Sequence, residues 1–387
     1  MSWLELPDLA ARSRGGSVVS ANDETFGDKE NLIKSAAPEF RPYTFGNRGQ
    51  VVDGWETRRR REAGHDWAIV RLGLPGVVRG VVVDTSWFTG NHPQECWIEA
   101  AWVDPLDPRT DLAAAPWAEL VPRSPVGGDR TNPFDVSHDR VITHVRLRQY
   151  PDGGVARVRV HGEPVGDPRW AAGRTLDLAA AEHGARIVDC SNRFYSAPEN
   201  LLVSGPARVM GEGWETSRRR DDGNDWVVVD LAAAGLITHV EIDTSCFVGN
   251  APGEASVLGI GPAEVELLPR TPLRPDAVNR FVLPRQAEVS RLRVDIYPDG
   301  GLARLRAHGE PTPAGRAALF LRWYERLDPP SATDAMTGWG GADVAWASAL
   351  ASGRPYRDAS RLRDAAQRSP GTPPDPAAWA ALTGDHG

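Results

Sequence analysis

Gly54-Trp55-Glu56-Thr57-Arg58-Arg59-Arg60-Arg61-Glu62-Ala63-Gly64-His65-Asp66-Trp67 returns 159 positions on as Gly213-Trp214-Glu215-Thr216-Ser217-Arg218-Arg219-Arg220-Asp221-Asp222-Gly223-Asn224-Asp225-Trp226. Both copies run on into branched apolar sequence, Ala68-Ile69-Val70 and Val227-Val228-Val229. A polar, glycine-punctuated segment feeding a strand-like run, written twice, reads as a duplicated β domain. The echo extends in both directions. Segments 8–11 and 30–32 return 169 positions on, Asp84-Thr85 with Phe88 and Gly90-Asn91 return at 159, and 150–154 with 161–164 return at 147. The falling offset places two insertions in the first copy, around 36–49 and 104–133, both rich in Pro, Gly and Asp as surface loops are.

Within each copy the pattern is β. Segments 67–72 and 77–84 are branched runs separated by 73–76, which predicts two neighbouring strands. Segments 141–148 and 155–160 flank Pro151-Asp152-Gly153-Gly154, which predicts a hairpin. The expected fold is all-β: two tandem jelly-roll or β-sandwich repeats, 1–168 and 169–313, with a short helical C-terminal extension, 314–387. Helix is expected at 8–13, at 177–183 and in the extension, where 316–327, 343–352, 360–368 and 377–382 carry Ala, Leu and Arg at helical spacing. So little marginal helix is expected to pack on the sandwiches or on a partner.

Composition bounds the function. The 387 residues are 41% hydrophobic and 25% charged, as in ordinary globular proteins. Lys+Arg 44 against Asp+Glu 52 gives a net charge of −8, so the arginine runs are local positive patches suited to a small anion, and no nucleic-acid partner is expected. Cys96, Cys190 and Cys246 form no CxxC pair, which argues against a disulfide framework or zinc site and for a reducing, cytoplasmic compartment. Residues 1–16 have no apolar signal core and no run reaches spanning length, so neither secretion nor a membrane anchor is expected. With no HExxH or clustered His pair, no metal or other cofactor is called for; a divalent metal would have to be assembled from distant loops.

Polar residues that recur in loop-like sequence point to a site. Glu56, His65 and Asp66 are the candidate catalytic residues, because carboxylate and imidazole groups can move protons. Arg59 and Arg60 are candidate carboxylate grips, since a guanidinium binds a carboxylate at two points. Asp84, Asn91 and His92 could orient amide groups of a ligand. Glu215, Arg218, Arg219, Asp225, Asp243 and Asn250 are the corresponding candidate binding residues of the second copy. The bland reading of the same residues is a salt-bridged turn whose tryptophans plug the core, and a strand end capped by Asp84. The copies differ where protons move near neutral pH: His65 aligns with Asn224 and His92 with Ala251, which assigns proton transfer to the first copy.

Gly-Trp-Glu-Thr with its arginines, Gly-His-Asp-Trp, Asp-Thr-x-x-Phe-x-Gly-Asn-x-Pro, Tyr-Pro-Asp-Gly-Gly and His-Gly-Glu-Pro, doubled in this order over about 6–313, resemble the allantoicase family. The resemblance implies two jelly-roll repeats and the hydrolysis of allantoate to ureidoglycolate and urea in purine breakdown. It also fits the inferred pocket, since allantoate is a small carboxylate with two ureido arms. A homo-oligomer is one assembly in which the second copy would complete a neighbour's pocket. More faintly, 320–327, Trp339-Gly340-Gly341, Trp346 and 350–356 are similar to the opening helices of ureidoimidazoline decarboxylase. The chain stops about where that family's catalytic His-Pro segment begins, so the extension is expected to be a docking or relic module. The competing reading is a non-catalytic jelly-roll that binds an anion or carbohydrate. For the hydrolase, the carbon losing urea carries two nitrogens and behaves like an acetal, so the site needs one acid, one base and one cation.

Overall fold

The computed structural model describes residues 2–106, 111–284 and 287–384; four residues of the second insertion and the last three of the extension lie outside these. The chain divides into two compact units, one reaching Val165 and including Arg326–Ser331, the other comprising Gly166–Glu325 and the residues from Ala332 on. In the first unit the strands are β1 (Ser17–Ala21), β2 (Phe45–Gly46), β3 (Gly49–Gln50), β4 (Trp55–Glu56), β5 (Asp66–Asp84), β6 (Glu95–Ala101), β7 (Ala118–Pro125), β8 (Thr131–Asp135), β9 (Val141–Tyr150), β10 (Gly154–Val155) and β11 (Arg157–Pro164). The second unit repeats the plan with β12 (Leu176–Asp177), β13 (Arg186–Cys190), β14 (Trp214–Glu215), β15 (Asp225–Asp243), β16 (Glu254–Ile260), β17 (Glu264–Pro272), β18 (Val278–Val282), β19 (Glu288–Tyr297), β20 (Gly301–Leu302) and β21 (Arg304–Pro311).

The two strands expected over 67–84 are one strand of 19 residues. Its first half pairs with β1 and β9, its second half with β11 and β8, and its pairing with β9 slips between Arg71 and Gly76. The glycines there serve close packing, not a turn: a Cβ on Gly73 would lie 2.3 Å from Arg14 O, and one on Gly76 the same distance from Glu163 O. The expected hairpin is also replaced. β9 and β11 both pair with β5 at different stretches of it, while β10, just past the Pro-Asp-Gly-Gly segment, pairs with β4. A long central strand thus serves two layers of a sandwich, as β15 does in the second unit.

Alternation fills each core. Ala68, Val70, Val81, Val83, Ile98, Val145, Leu147 and Val158 pack around the fully buried Trp55, with Val227, Ile242, Val257, Leu292, Val294 and Leu305 around Trp214. Burying each such aliphatic side chain stabilises the fold by about 1.5–3 kcal/mol. The helices expected at 8–13 and 177–183 shrink to single 3-10 turns, Arg12–Arg14 and Ala181–His183.

The C-terminal extension holds α1 (Pro313–Tyr324), α2 (Pro329–Met336), α3 (Val344–Ser352), α4 (Ala359–Arg368) and α5 (Pro376–Thr383). α2 was not foreseen, because it opens on two prolines and is rich in Ser, Thr and Asp, which are weak helix formers. α1 lies directly on β15: Thr312 N donates to Ala234 O at 2.9 Å, and a Cβ on Gly315 would meet that carbonyl at 2.2 Å. Leu319 joins the core of the second unit. Phe320, Trp346 and Trp379 form an edge-on aromatic cluster, with ring centroids 5.7 and 5.4 Å from Trp379.

Candidate active site

β4 is short, and its two residues part company: Trp55 goes to the core, so Glu56 points the other way. Gly154 faces Glu56 across the β10 pairing, while Phe26 N and Gly27 N donate to Glu56 O. The loop after β5 is seated on the same spot by Phe88, which is buried beneath the glycines. A Cβ on Gly154 would lie 2.0 Å from Phe88 Cδ1, so only glycine fits, and Gly154 N donates to Asn91 O at 2.7 Å. This closeness brings Asn91 Nδ2 to 2.7 Å from Glu56 Oε1. The second unit builds the same object: Gly301 over Phe247 at 1.9 Å, and Asn250 Nδ2 donating to Glu215 Oε1 at 2.7 Å. Burial pushes the Glu56 carboxyl above its ordinary value, against the opposing pull of the Asn91 hydrogen bond.

The arginine run fans out residue by residue. Arg58 pairs with Asp23 at 2.8 Å. Arg59 is exposed with no partner among the described residues. Arg60 folds inward, its backbone N–H donating to Asp152 Oδ2 at 2.5 Å and its Nη2 to Asp66 Oδ1 at 2.6 Å. The second copy matches: Arg218 is exposed, while Arg219 takes Asp299 through its N–H and Asp225 through Nη1 at 2.9 Å. Of the four predicted grips, then, Arg59 and Arg218 are free to meet an anion; Arg60 and Arg219 are committed beneath the loop.

Other candidates are placed differently from expectation. Asp66 and Asp225 begin their strands on the inward side, are 0% exposed and anchor Arg60 and Arg219. Asp84 Oδ1 accepts from Ser86 N and Oγ at 2.9 and 2.6 Å, and Asp243 Oδ1 accepts from Ser245 N at 2.8 Å; both close their own strand ends. His92 is near the surface, its Nδ1 3.1 Å from Thr89 O. His65 packs at a tilt against Tyr150, with centroids 4.9 Å apart, and its Nε2 lies 3.3 Å from Arg148 Nη1. An arginine only donates, so that nitrogen accepts and the ring is neutral. Burial, then Arg148 and Arg60, lowers its proton affinity below that of an ordinary imidazole.

Sequence reasoning missed Arg157 and Arg304, wholly or almost wholly buried at equivalent ends of β11 and β21. Arg157 Nη1 donates to Asp53 O at 2.7 Å, and Arg304 Nη1 to Glu212 O at 2.6 Å, which fixes the residue before each Gly-Trp-Glu-Thr. Their recurrence at the 147 offset was the available signal. Among the described residues no three His, Cys, Asp or Glu side chains are grouped to hold a metal, and no helix is long and apolar enough to cross a membrane.

A family model described as the allantoicase repeat matches residues 7–165 and 176–312. A probable allantoicase of Nocardia farcinica is 58% identical over 314 residues, 80% of this chain and 95% of that protein. One of Streptomyces coelicolor is 47% identical over 342 residues, 84% of this chain and 91% of that protein. The crystal structure of an allantoicase from Saccharomyces cerevisiae is similar at a TM-score of 0.68 and 32% identity, over 79% of this chain and 93% of that one.

Proposed function

Because the chain belongs to the allantoicase family and hydrolyses allantoate to ureidoglycolate and urea, we propose that Glu56 of the first unit moves the protons in that reaction, with Asn91 and Arg59 holding the substrate. The observation that carries this reading is the Glu–Asn pair, set on a glycine floor in both units. In the first unit its carboxyl has a raised affinity for a proton.

Allantoate carries its carboxylate and two ureido arms on one carbon. Arg59, exposed three residues after Glu56, takes the carboxylate through its two-point fork. The amide of Asn91 has one N–H on Glu56 and keeps its second N–H and its carbonyl for a ureido group. Protonated Glu56 gives its proton to the departing ureido nitrogen as the carbon–nitrogen bond breaks, and the lone pair of the remaining ureido nitrogen forms a carbon–nitrogen double bond. Urea leaves. Water then adds to that carbon while the Glu56 carboxylate takes its proton, which restores the acid and yields ureidoglycolate. A carboxyl with a raised proton affinity suits this double duty, because both forms must be populated within one turnover. Neutral His65 and buried Asp66 support the loop that carries Arg59. The free thiols of Cys96, Cys190 and Cys246 support a reducing, cytoplasmic setting.

The test is Glu56→Gln, which keeps the Asn91 hydrogen bond and removes the acid. Turnover of allantoate should fall by roughly two to four orders of magnitude, and the basic limb of the wild-type rate profile should lie above the ordinary glutamate value of 4.5. Near-wild-type turnover in Glu56→Gln overturns the assignment.

A further inference from the structure

The two Glu–Asn pairs share their distances but not their surroundings. In the second unit Asn250 has both amide hydrogens engaged: one on Glu215 Oε1 at 2.7 Å, the other directed at Met210 Sδ at 3.6 Å, within the reach of a weak sulfur acceptor. Met210 opens a single 3-10 turn, Met210–Glu212, and that turn is pinned. Arg208 holds the Glu212 carboxylate through its backbone N–H at 2.8 Å and Nε at 3.0 Å, and buried Arg304 holds Glu212 O and Gly205 O at 2.6 and 2.9 Å. The backbone that presents the thioether to the amide is therefore held in place.

At the 159 offset Met210 corresponds to Val51, and the equivalence of Arg157 on Asp53 O with Arg304 on Glu212 O supports that alignment two residues further on. Yet Val51 does not cover Asn91. The first insertion draws it aside: Val51 N donates to Thr44 O at 2.8 Å, and its Cγ2 lies 3.6 Å from where a Cβ on Gly46 would stand. In keeping with this, Asn91 is exposed, whereas Asn250 is only partly so.

We propose that Met210 occludes the second Glu–Asn pair, so that each chain binds one ureide, at the first unit, although it carries two copies of the binding pair. The proposal rests on the Glu–Asn pair being where the ureide binds. Met210 competes for the amide hydrogen that a ureido carbonyl would take, and its methyl group fills the space above it. The insertion in the first copy is then what leaves its pair open. Specificity of site within the duplicated chain comes from one side chain and one loop.

N-carbamoylglycine is a suitable probe, since it has the carboxylate and one ureido arm but lacks the second nitrogen that makes the carbon labile. The full-length chain, labelled with 15N at asparagine, is titrated while the side-chain amide signals of Asn91 and Asn250 and the calorimetric stoichiometry are followed. Wild type should bind one equivalent and shift Asn91 alone; Met210→Ala and Met210→Val should bind two and shift both. Met210 is 45% exposed and joins neither core, so neither substitution should unfold the chain. A shift of Asn250 in wild type comparable to that of Asn91, or an unmoved Asn250 in both variants, overturns occlusion by Met210 while leaving the first-unit assignment intact. If neither asparagine responds in any of these proteins, the Glu–Asn pair is not the ureide site and both readings fail together.

Discussion

Arg60 donates to Asp66 from a side chain 14% exposed, while Arg59, one residue earlier, keeps its guanidinium in solvent, and the two should answer substitution in different currencies. Arg59→Lys keeps the charge but not the fork, so kcat/KM for allantoate should drop by about one to two orders of magnitude, the loss of a charge-assisted bond of roughly 1.5–3 kcal/mol. The melting temperature should stay unchanged. Arg60→Met leaves the Asp66 carboxylate buried without its cation, which costs about 3–5 kcal/mol of stability by denaturant unfolding. Wild-type kinetics in Arg59→Lys would remove it from the site. A second residue-level effect comes from His144, buried between strands with its Nδ1 3.0 Å from Thr143 Oγ1. Burial, aided by Arg71, lowers its pKa from 6.5 to about 4. Since the folded value lies below the unfolded one, the unfolded chain binds the proton first as pH falls. His144 therefore contributes stability that is present above pH 6.5 and is lost on descending towards about pH 4, on the order of 3 kcal/mol in all. Chemical denaturation of His144→Asn should show a shallower loss over that window; an unchanged slope would refute the assignment. The chemical types at the site were legible because Glu, Asn and Arg recur. Which arginine faces out was not, because it depends on Asp66 starting β5 on the inward parity with Ala68 and Val70, and no motif states where a strand begins.

Gly154 and Phe88 join two elements, β10 and the loop after β5, and they explain why Tyr-Pro-Asp-Gly-Gly is written twice. Gly154→Ala should force Phe88 out of its seat, cost about 1–3 kcal/mol of stability and displace Asn91 from Glu56. Gly301→Ala makes the matching clash with Phe247 and should destabilise by a similar amount. Thermal melts of both variants with their rates of urea release decide the point: allantoate turnover should collapse in the first and persist in the second, and equal losses would contradict catalysis at the first unit. Element types were readable from periodicity, but pairing was not. Residues 73–76 carry turn-like glycines, yet those glycines admit the backbones of Arg14 and Glu163 and the strand runs through. Likewise 141–148 and 155–160 look like hairpin partners because they are adjacent in sequence, whereas β5, being long, accepts both β9 and β11. Local sequence signals the strand; only the competition among partners decides the ladder.

For the whole molecule, the family match ends at 312, and the helices beyond it are built into the second unit, with Leu319 in its core and Arg169 buried against Trp323 and bonded to Ala335 O at 2.7 Å. A chain ending at 312 should therefore lose several degrees in melting temperature, at about 1.5–3 kcal/mol for each large side chain no longer packed. It should keep allantoate hydrolysis per folded molecule, since the matched repeats carry the proposed site; loss of turnover with an unchanged melt would point to a catalytic part for the extension. The route of the extension has one more consequence. The chain leaves the second unit after Glu325, lends Arg326–Ser331 to the first, where Val141 N donates to Arg326 O at 2.8 Å and Arg140 Nη1 to Leu327 O at 2.9 Å, and then returns. Those six residues are a ligand tethered at both ends, presented at an effective concentration that no free peptide would reach. A fragment stopping at 165 would lack its guest, and one proteolytic nick near 332 would turn a double leash into a single one.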